Sequence, residues 1–408
     1  MSEKPEEKAR EKIDEMLNSA GWDVQNLKNA SIHINQGVAI REFPLSSGHG
    51  FADYLLYVDG KATGVIEAKK PGTTLTGVEI QSDKYKNGLP DILPAWFKPL
   101  PFCYQSTGFE TRFTNGFDPD PRSRNVFSFH RPSTMAQWLM EGVSVPDKKA
   151  ADVPPPIFTK PSTLLSRLRQ LPPLIEEGLW SAQIKAIRNL EKSLVENRPR
   201  SLIQMATGSG KTFTAISFIY RLIKFADARR VLFLVDRGNL GRQTLKEFQQ
   251  YVSPYNNFKF NEEYIIQRLT SNTLDTTARV CISTIQRLYS MLKGTDLPEE
   301  DDEISAQGLE QVFKEAPPAE YNPAIPIETF DFIVADECHR SIYNLWRQVL
   351  EYFDGYIVGL TATPNKQTFG FFNQNLVMEY GHEAAVADGV NVNYDVYRIK
   401  TRITQAGS

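Results

Sequence analysis

Continuous apolar runs recur through the second half of the chain. They occupy residues 201–205, 231–236, 279–284, 330–335 and 356–361, with segments of helical spacing between them. Strands of a parallel sheet have this pattern because helices cover both faces of the sheet. The pattern predicts an α/β domain whose ligands bind beyond the carboxyl ends of its strands.

The first third of the chain has a different pattern, typical of a helix followed by a hairpin. Residues 6–20 have helical apolar spacing and stop at Gly21. Two largely apolar arms, 51–58 and 61–69, flank the dipeptide Asp59-Gly60, which is a strong hairpin signal. The sequence therefore predicts a second, separate α/β unit before the parallel sheet.

Two carboxylates interrupt the arms of this hairpin. A two-residue turn pairs Asp53 with Ile66 and sends Glu67 to the opposite face, whereas a three-residue loop pairs Asp53 with Glu67. Opposed carboxylates destabilise a hairpin unless a hard cation lies between them, and Mg²⁺ accepts such ligands readily. We expect the three-residue loop, or an equivalent bulge, with Asp53 and Glu67 as metal ligands.

A lysine and two further polar residues complete this candidate catalytic group. Lys69 follows Glu67 on the same face of the strand, and Gln81 and Tyr85 have i, i+4 spacing on the next predicted helix. Metal ions on two carboxylates activate water for phosphodiester hydrolysis, and a lysine steadies the nucleophile. The alternative is a structural hairpin with a Glu–Lys surface pair, and the co-occurrence of Asp53 argues against it.

A glycine-rich stretch follows the first apolar run of the second half. Ala206-Thr-Gly-Ser-Gly-Lys-Thr212 precedes a segment of helical spacing, so backbone N–H groups and a helix N-terminus surround one point that suits a phosphate. We expect Lys211 to reach the β- and γ-phosphates of ATP and the Thr212 hydroxyl to hold Mg²⁺. Met205 stands where the common pattern has glycine. The candidate nucleotide-binding residues here are Thr207, Gly208, Ser209, Gly210, Lys211 and Thr212.

An acidic motif further along supports the nucleotide site. Asp336-Glu-Cys-His339 follows the apolar run 330–335, at the end of a predicted strand. We expect Asp336 to hold Mg²⁺ through water and Glu337 to orient the water that attacks the γ-phosphate. Thr361-Ala-Thr-Pro364 ends the next run, where its hydroxyls are placed to sense that phosphate.

Composition restricts the class of protein and the way it binds partners. The 408 residues are 23% charged and 41% hydrophobic, as in soluble globular proteins of two to three domains. A net charge of -3 gives no global attraction to nucleic acid, so DNA binding must depend on local sites. Three widely spaced cysteines and a polar N-terminus without an apolar run predict a cytoplasmic protein.

Proline and charge patterns suggest the domain organisation. We expect a first α/β domain at 1–145, a proline-rich linker at 146–173 with one short helix, and a parallel-sheet domain at 174–390. The family resemblances described below imply that these are a nuclease-like and a motor domain, and that 391–408 begin a second motor domain. The acidic insert 293–326 is expected to be a surface excursion without chemistry.

Basic residues interleaved with aromatic ones in the first domain suggest a candidate DNA-binding surface. Basic residues among aromatics can hold single strands, but ordinary β-sheet packing is the favoured interpretation here. The residues concerned are Arg112, Arg122, Arg124 and Arg131.

The first domain resembles the PD-(D/E)XK nuclease core. Asp53, Glu67-Ala68-Lys69 and Gln81-x-x-x-Tyr85 match its variant with a Gln-x-x-x-Tyr motif. This resemblance implies Mg²⁺-dependent DNA cleavage. The first helix of that family often supplies a further acid, which implies Glu7 as an additional metal ligand.

The second half resembles the first RecA-like domain of superfamily 2 helicases and translocases. The resemblance implies that Gln183 recognises adenine, although Trp180 replaces the usual arginine, and that 236–243 and 282–286 contact the DNA backbone. The matching segments are Gln183, Ala206–Thr212, Asp236-Arg237 with Gln243, Ile282–Gln286, Asp336–His339 and Thr361–Pro364.

A nuclease core followed by such a motor resembles the restriction subunit (HsdR, the endonuclease and motor subunit) of Type I restriction-modification enzymes. The resemblance implies ATP-driven translocation on duplex DNA and cleavage without sequence choice, with modification (M) and specificity (S) subunits as partners. Type III restriction subunits carry the nuclease at the opposite end. A DNA-binding or repair helicase fragment with an inactive nuclease fold is the remaining alternative, and intact Asp53, Glu67 and Lys69 argue against it.

The stretch after Pro364 does not resemble a second RecA-like domain. Phosphoryl transfer of this type uses an arginine finger at the interface between two such domains. We therefore expect the chain to be an N-terminal piece of a longer protein that binds ATP but hydrolyses it poorly when isolated.

Overall fold

The computed structural model describes residues 5–75, 87–141, 143–144, 157–158, 162–298, 302–303, 318–340 and 344–393. Gln81, Tyr85 and the part of the predicted second motor domain from residue 394 onward lie outside these residues.

The first part of the chain forms a mixed sheet covered by helices. Within the described residues this sheet has seven strands in sequential order, parallel at its first and fourth pairings and otherwise antiparallel. The first helix packs Ile13 and Leu17 into the core beneath the central strands. The elements are α1 (Pro5–Ser19), β1 (Asp23–Asn26), β2 (Gly37–Pro44), β3 (Phe51–Val58), β4 (Lys61–Ala68), β5 (Phe102–Ser106), β6 (Thr111–Asn115), β7 (Arg124–Val126) and α2 (Pro132–Met140).

The second part forms a parallel sheet flanked by helices. A short ladder of β8 (Val143–Ser144) and β9 (Ile157–Phe158) precedes it. Its elements are α3 (Leu164–Leu168), α4 (Ser181–Val195), β10 (Arg200–Met205), α5 (Lys211–Ala226), β11 (Val231–Val235), α6 (Gly238–Gln250), α7 (Phe260–Glu263), β12 (Ile266–Arg268), β13 (Val280–Thr284), α8 (Ile285–Lys293), β14 (Phe332–Ala335), α9 (Asn344–Tyr352), β15 (Tyr356–Thr361), α10 (Lys366–Phe371), β16 (Leu376–Tyr380) and α11 (His382–Ala387).

The strand order of this sheet brings the predicted motifs to one edge. In the described part of the chain the order is β12-β13-β11-β14-β15-β10-β16, and each pairing is parallel. The central strands β14, β15 and β10 therefore end side by side. This confirms the predicted fold class, an α/β nuclease-like core followed by a P-loop domain with a parallel sheet.

A buried polar joint connects the two sheets. Asp354, just before β15, receives two hydrogen bonds from Arg124 at 2.7 and 2.8 Å and lies 2.8 Å from His130 Nε2. Glu328 likewise accepts from Arg131 at 3.1 Å and from the Thr134 hydroxyl at 2.7 Å. Arg124 and Arg131, considered above beside aromatic residues, thus bind carboxylates of the second domain.

Aromatic packing extends the same joint. Phe127 lies 4.7 Å from Tyr352, ring centre to ring centre, and residues of both sheets belong to one continuous apolar core. In the first domain, Phe113 is fully buried against Tyr104 and Trp138. The expectation of ordinary sheet packing for this aromatic segment therefore agrees with the structure.

The described end of the proline-rich segment is attached to the second domain. Its short helix α3 buries Leu168 in the core of the parallel sheet. Arg167, from the same helix, donates to the carbonyl of Ala226 at 2.7 Å. Among the described residues no helix is long and apolar enough to cross a membrane, and the three cysteines are buried without forming disulfides.

Candidate catalytic sites

The β3–β4 hairpin closes with a two-residue turn. Val58 pairs with Lys61 across it. Asp59 and Gly60 have φ angles of 48° and 74°, the left-handed backbone that a type I′ turn requires. The three-residue loop expected from the sequence is therefore wrong.

A bulge on β4 supplies the predicted register instead. Thr63 is the extra residue where the pairing shifts, and beyond it Tyr54 pairs with Ile66. The next opposed positions are Asp53 and Glu67, so their side chains lie on one face of the sheet. The equivalent bulge, offered above as the other solution, is the one the chain adopts.

A backbone donor and two cations fix these carboxylates. Asp53 Oδ2 accepts the N–H of Ala68 at 2.9 Å, and Asp53 Oδ1 lies 2.9 Å from Arg10 Nη2. Glu67 Oε1 lies 2.6 Å from Lys69 Nζ, and the Glu67 side chain is only 2% exposed. The three residues that carry the nuclease resemblance therefore lie together.

The donor atoms in this group suit a hard divalent cation. Carboxylate oxygens are the ligands that Mg²⁺ prefers, with water and substrate phosphate completing its octahedron. In the described part of the chain, no three His, Cys, Asp or Glu side chains are arranged to hold a metal ion. Asp53 and Glu67 thus offer two carboxylates whose chemistry fits Mg²⁺.

The first helix sends a cation to this group. Arg10 contacts Asp53, whereas the predicted acid Glu7 is exposed on α1, almost one turn earlier. Arg10 Nη1 also lies 2.6 Å from Glu42 Oε1. Sequence reasoning missed Arg10 because its partners Glu42 and Asp53 are distant in the chain, and a lone Arg on a charged helix gives no signal.

A second ionic group lies beside the first. Asp14 of α1 accepts from Arg41 Nη2 at 2.7 Å and from the Tyr54 hydroxyl at 2.8 Å. Burial raises the pKa of Tyr54 well above its usual range, and the charge of Asp14 raises it further. Tyr54 therefore acts as a neutral hydrogen-bond donor that holds α1 against β3.

The glycine-rich stretch forms the turn between β10 and α5. Gly208 and Gly210 have φ angles of 80° and 77°, and α5 begins directly afterwards. Ser209 is buried, and its hydroxyl donates to the carbonyl of Ala206 at 2.6 Å. Asn391 Nδ2 donates to the carbonyl of Thr207 at 3.0 Å. The turn that precedes the N-terminus of α5 is thus held by a hydrogen bond within it, from Ser209, and by one from outside it, from Asn391.

The end of β14 brings two carboxylates to this turn. Lys211 Nζ lies 3.8 Å from Glu337 Oε1, and the Lys211 side chain is 11% exposed. Burial, and after it the charge of Glu337, raise the pKa of Asp336 to about 6, while Lys211 opposes the rise. This arrangement suits an Mg²⁺–triphosphate ligand, because a cation favours the charged carboxylate and the lysine favours phosphate. Thr212 is half-buried on the first turn of α5.

His339 and Gln183, two further residues of the predicted motifs, lie beside the nucleotide site. His339 Nδ1 lies 2.9 Å from the Thr361 hydroxyl and 3.5 Å from Glu337 Oε2. Gln183 is buried, and a Cβ on Gly210 would lie 2.5 Å from its Nε2 atom. The amide of Gln183 is therefore packed against the glycine-rich turn, and its Oε1 atom accepts a hydrogen bond of 2.9 Å from the backbone N–H of Trp180.

Two acidic residues of the insert cover a neighbouring strand end. Glu303 accepts from the N–H of Asn239 at 2.9 Å and lies 2.8 Å from Arg242 Nη1, both at the start of α6. Asp302 is buried and bonds the Thr284 hydroxyl. These two residues of the insert are thus bound to the parallel-sheet domain, at the start of α6 and at the end of β13.

These features define the class of protein: an α/β chain that joins a nuclease-like carboxylate hairpin to a helicase-like P-loop domain. A family model described as "Type III restriction enzyme, res subunit" matches residues 177–366, and one described as "Type I restriction enzyme EcoKI endonuclease subunit second domain" matches residues 24–94.

Individual relatives agree with both matches. The Type I restriction enzyme EcoKI endonuclease subunit of Escherichia coli (strain K12) is 28% identical over 471 residues, covering 98% of this chain and 36% of the relative. The EcoAI endonuclease subunit of Escherichia coli is 30% identical over 234 residues, covering 55% and 24%. The chain thus spans about a third or less of these relatives. Both relatives are endonuclease subunits of Type I restriction enzymes, and they are what this chain is similar to.

One solved structure is similar over most of the chain. It is described as a fragment of an HsdR subunit of a type I restriction enzyme from Vibrio vulnificus YJ016, with 21% identity and a TM-score of 0.35. The match covers 95% of this chain and 61% of that structure.

Proposed function

We propose that this chain is the nuclease and ATP-binding motor part of a Type I restriction subunit. It cleaves duplex DNA without sequence choice in an Mg²⁺-dependent reaction and couples cleavage to ATP-driven translocation. The observation that supports the nuclease most is the bulged register, which sets Asp53 opposite Glu67 with Lys69 beside it. A purely structural hairpin has no need to oppose two carboxylates at its open end.

In the proposed nuclease reaction, Asp53 and Glu67 bind the cation and Lys69 steadies the attacking water. The bound Mg²⁺ supplies charge neutralisation at the phosphate and lowers the pKa of water. The N–H of Ala68 fixes Oδ2 of Asp53, and Oδ1, which contacts Arg10, is the oxygen that would bind the cation. Gln81 and Tyr85 are proposed to orient the substrate, and Glu7 remains a weaker candidate ligand.

In the proposed motor, the residues around the glycine-rich turn bind Mg²⁺–ATP. Thr207 to Gly210 offer backbone N–H groups to the phosphates, Lys211 neutralises their charge, and Thr212 and Asp336 hold the cation. Glu337 orients the attacking water, and His339 is positioned to relay the state of the γ-phosphate to Thr361. Gln183 is proposed to recognise adenine.

The wider assignments follow the same proposal. The domain boundaries are 1–145, 146–173 and 174–390, with residues 391–408 starting a second motor domain. Segments 236–243 and 282–286 contact the DNA backbone. The M and S subunits of the restriction complex are the partners, and the location is the cytoplasm.

The test compares Mg²⁺-dependent nicking of duplex DNA by wild type and by Asp53→Ala in the assembled enzyme. We expect Asp53→Ala to abolish cleavage while DNA binding and ATP binding persist, because Asp53 contacts Arg10 and Ala68, neither of which belongs to the glycine-rich turn. Lys12→Ala, which removes an exposed cation of α1 paired with Glu15, is the matched control and should cleave normally. Equal cleavage by wild type and Asp53→Ala contradicts the proposal and favours a DNA-binding module with an inactive nuclease fold.

A further inference from the structure

Arg10 bridges two carboxylates at the open end of the hairpin. Its Nη1 atom lies 2.6 Å from Glu42 and its Nη2 atom 2.9 Å from Asp53. Residues on either side of Glu42 pair with residues on either side of Asp53, so these two face each other across β2 and β3. Glu42 has a φ of 50°, which lifts its side chain out of regular pairing. The guanidinium therefore occupies the surface just outside the candidate metal ligands.

A cavity of about 560 Å³ opens beside this bridge. It lies between α1, the turn after β1, and strands β2 and β3, and three of its lining side chains are cationic. Two lining side chains are acidic, and a third carboxylate, Asp14 of α1, pairs with Arg41 at 2.7 Å. The lining residues are Arg10, Asn26, Leu27, Lys28, Arg41, Glu42, Asp53 and Tyr54.

The two arginines of the cavity differ in how firmly they are held. Arg41 binds Asp14 at 2.7 Å and Asn26 at 3.0 Å, on a strand, so its charge is fixed in place. Arg10 is 40% exposed and one of its partners, Glu42, is 66% exposed. The exposed pair with Glu42 therefore contributes little free energy. The pair with Asp53, whose side chain is 22% exposed, is the one that a divalent cation would have to displace.

The chemistry of Arg10 suits exchange from carboxylate to phosphate. A guanidinium forms the same two parallel hydrogen bonds with either group. A divalent cation bound to Asp53 removes the charge that attracts Arg10, because both cations compete for the same oxygen. Arg10 would then be left facing a cavity already lined by Lys28 and Arg41.

We propose that Arg10, Lys28 and Arg41 form a subsite for one phosphodiester group of the DNA strand that enters the carboxylate centre. Arg10 pairs with Asp53 before the divalent cation binds and with that phosphate afterwards. The subsite rests on the proposed nuclease function and adds to it the residues that place the strand.

The test uses Arg10→Ala in the full chain, without nucleotide, and two measurements that should move in opposite directions. Mn²⁺ titration should show affinity at the Asp53-dependent site rising several-fold, because a competing cation is gone. Binding of a short mixed-sequence duplex in Ca²⁺ should weaken about tenfold, the cost of one charged hydrogen-bonded contact. Its salt dependence should fall by about one unit of slope.

Controls separate the subsite from structural damage. Lys12→Ala, on the same helix, should change neither measurement. Arg10→Lys retains the charge but not the fork, so it should keep the salt slope and recover part of the duplex affinity. A lesion of the fold would lower both affinities together, and this result overturns the subsite, as does an unchanged Mn²⁺ affinity in Arg10→Ala.

The same titrations distinguish failure of the subsite from failure of the nuclease proposal. Asp53→Ala should abolish the Mn²⁺ site. If Asp53→Ala binds Mn²⁺ like wild type, the carboxylate centre itself is refuted. If only Arg10→Ala behaves like wild type, the centre stands and the phosphate subsite falls.

Discussion

Lys211 lies between the glycine-rich turn and the end of β14 and contacts both. It lies 3.8 Å from Glu337 Oε1 and 3.4 Å from the carbonyl of Met205, and it lowers the otherwise raised pKa of Asp336. A triphosphate would exchange these weak contacts for direct ion pairs. The charge of Lys211 therefore stabilises the nucleotide-bound state more than the free protein.

We expect Lys211→Ala to weaken binding of a fluorescent ATP analogue about tenfold or more, because a charged hydrogen bond to the phosphates is lost. Lys224→Ala is the matched control: it lies on the same helix, paired with Glu263 at 2.8 Å, far from the turn. Equal affinity of Lys211→Ala and wild type would remove the P-loop from the binding site.

At this scale, the sequence predicts chemistry that depends on neighbours in the chain and misses chemistry that depends on the fold. Glu67 and Lys69 are two residues apart, so their shared face follows from strand periodicity. Arg10, Glu42 and Asp53 come from three different elements, and only the packing of α1 on the sheet brings them together.

The hairpin shows the same limit for whole elements. Apolar alternation and Asp59-Gly60 predict its arms and turn, and the cost of misplaced carboxylates predicts their common face. The bulge at Thr63 is what puts the two carboxylates on one face, and the only sequence signal for it is the neighbouring Gly64. The strands β12 and β16 also escape prediction, because an edge strand need not be apolar on both faces.

The N-terminus of α6, which Glu303 covers, provides a testable prediction about a whole element. Glu303 accepts from the first turn of that helix and pairs with Arg242, in the segment proposed to contact the DNA backbone. A carboxylate there occupies the positive end of a helix, which is also the place for a phosphate. We expect Glu303→Gln to strengthen binding of a short duplex about two- to fivefold, matching ~0.3–1 kcal/mol for a charge at a helix terminus.

Fluorescence anisotropy across a salt series measures this gain, which should shrink as ionic strength rises. Glu320→Gln makes the same charge change in an exposed pair with Lys293, 3.8 Å away, and should leave affinity unaltered. An equal gain in both variants would show a general effect of net charge and no competition at α6.

For the whole molecule, the polar joint between the sheets links the two candidate sites through one core. Asp354 precedes β15, and β15 ends at Thr361, which contacts His339 beside the glycine-rich turn. On the other side, His130 lies 2.6 Å from the hydroxyl of Tyr104 on β5. The next residue of β5 pairs with Glu67. The joint therefore contacts β5 in one domain and β15 in the other. Each of these strands also neighbours a proposed catalytic group, Glu67 for β5 and His339 for β15.

Asp354→Ala tests whether this joint holds the domains as one unit. Arg124 and His130 together hold the pKa of the buried carboxylate far below its usual range, against the opposing effect of burial. A depressed pKa stabilises the fold above the ordinary carboxyl pKa, near ~4, and this contribution is lost as the pH falls below it. Removing Asp354 leaves the fully buried His130 and the 36% exposed Arg124 without their acceptor, and we expect this to cost about 1–3 kcal/mol.

We therefore expect urea unfolding to show that loss for Asp354→Ala at pH 7 and a smaller difference from wild type below pH ~4. Asp91→Ala, which breaks an exposed pair with Lys98, removes the same charge and should leave stability unchanged. If Asp354→Ala unfolds in two separate transitions, the joint is what makes the domains cooperative. If it unfolds like Asp91→Ala, the two sheets are held together by their apolar contacts, such as that of Phe127 with Tyr352, without help from the ion pairs.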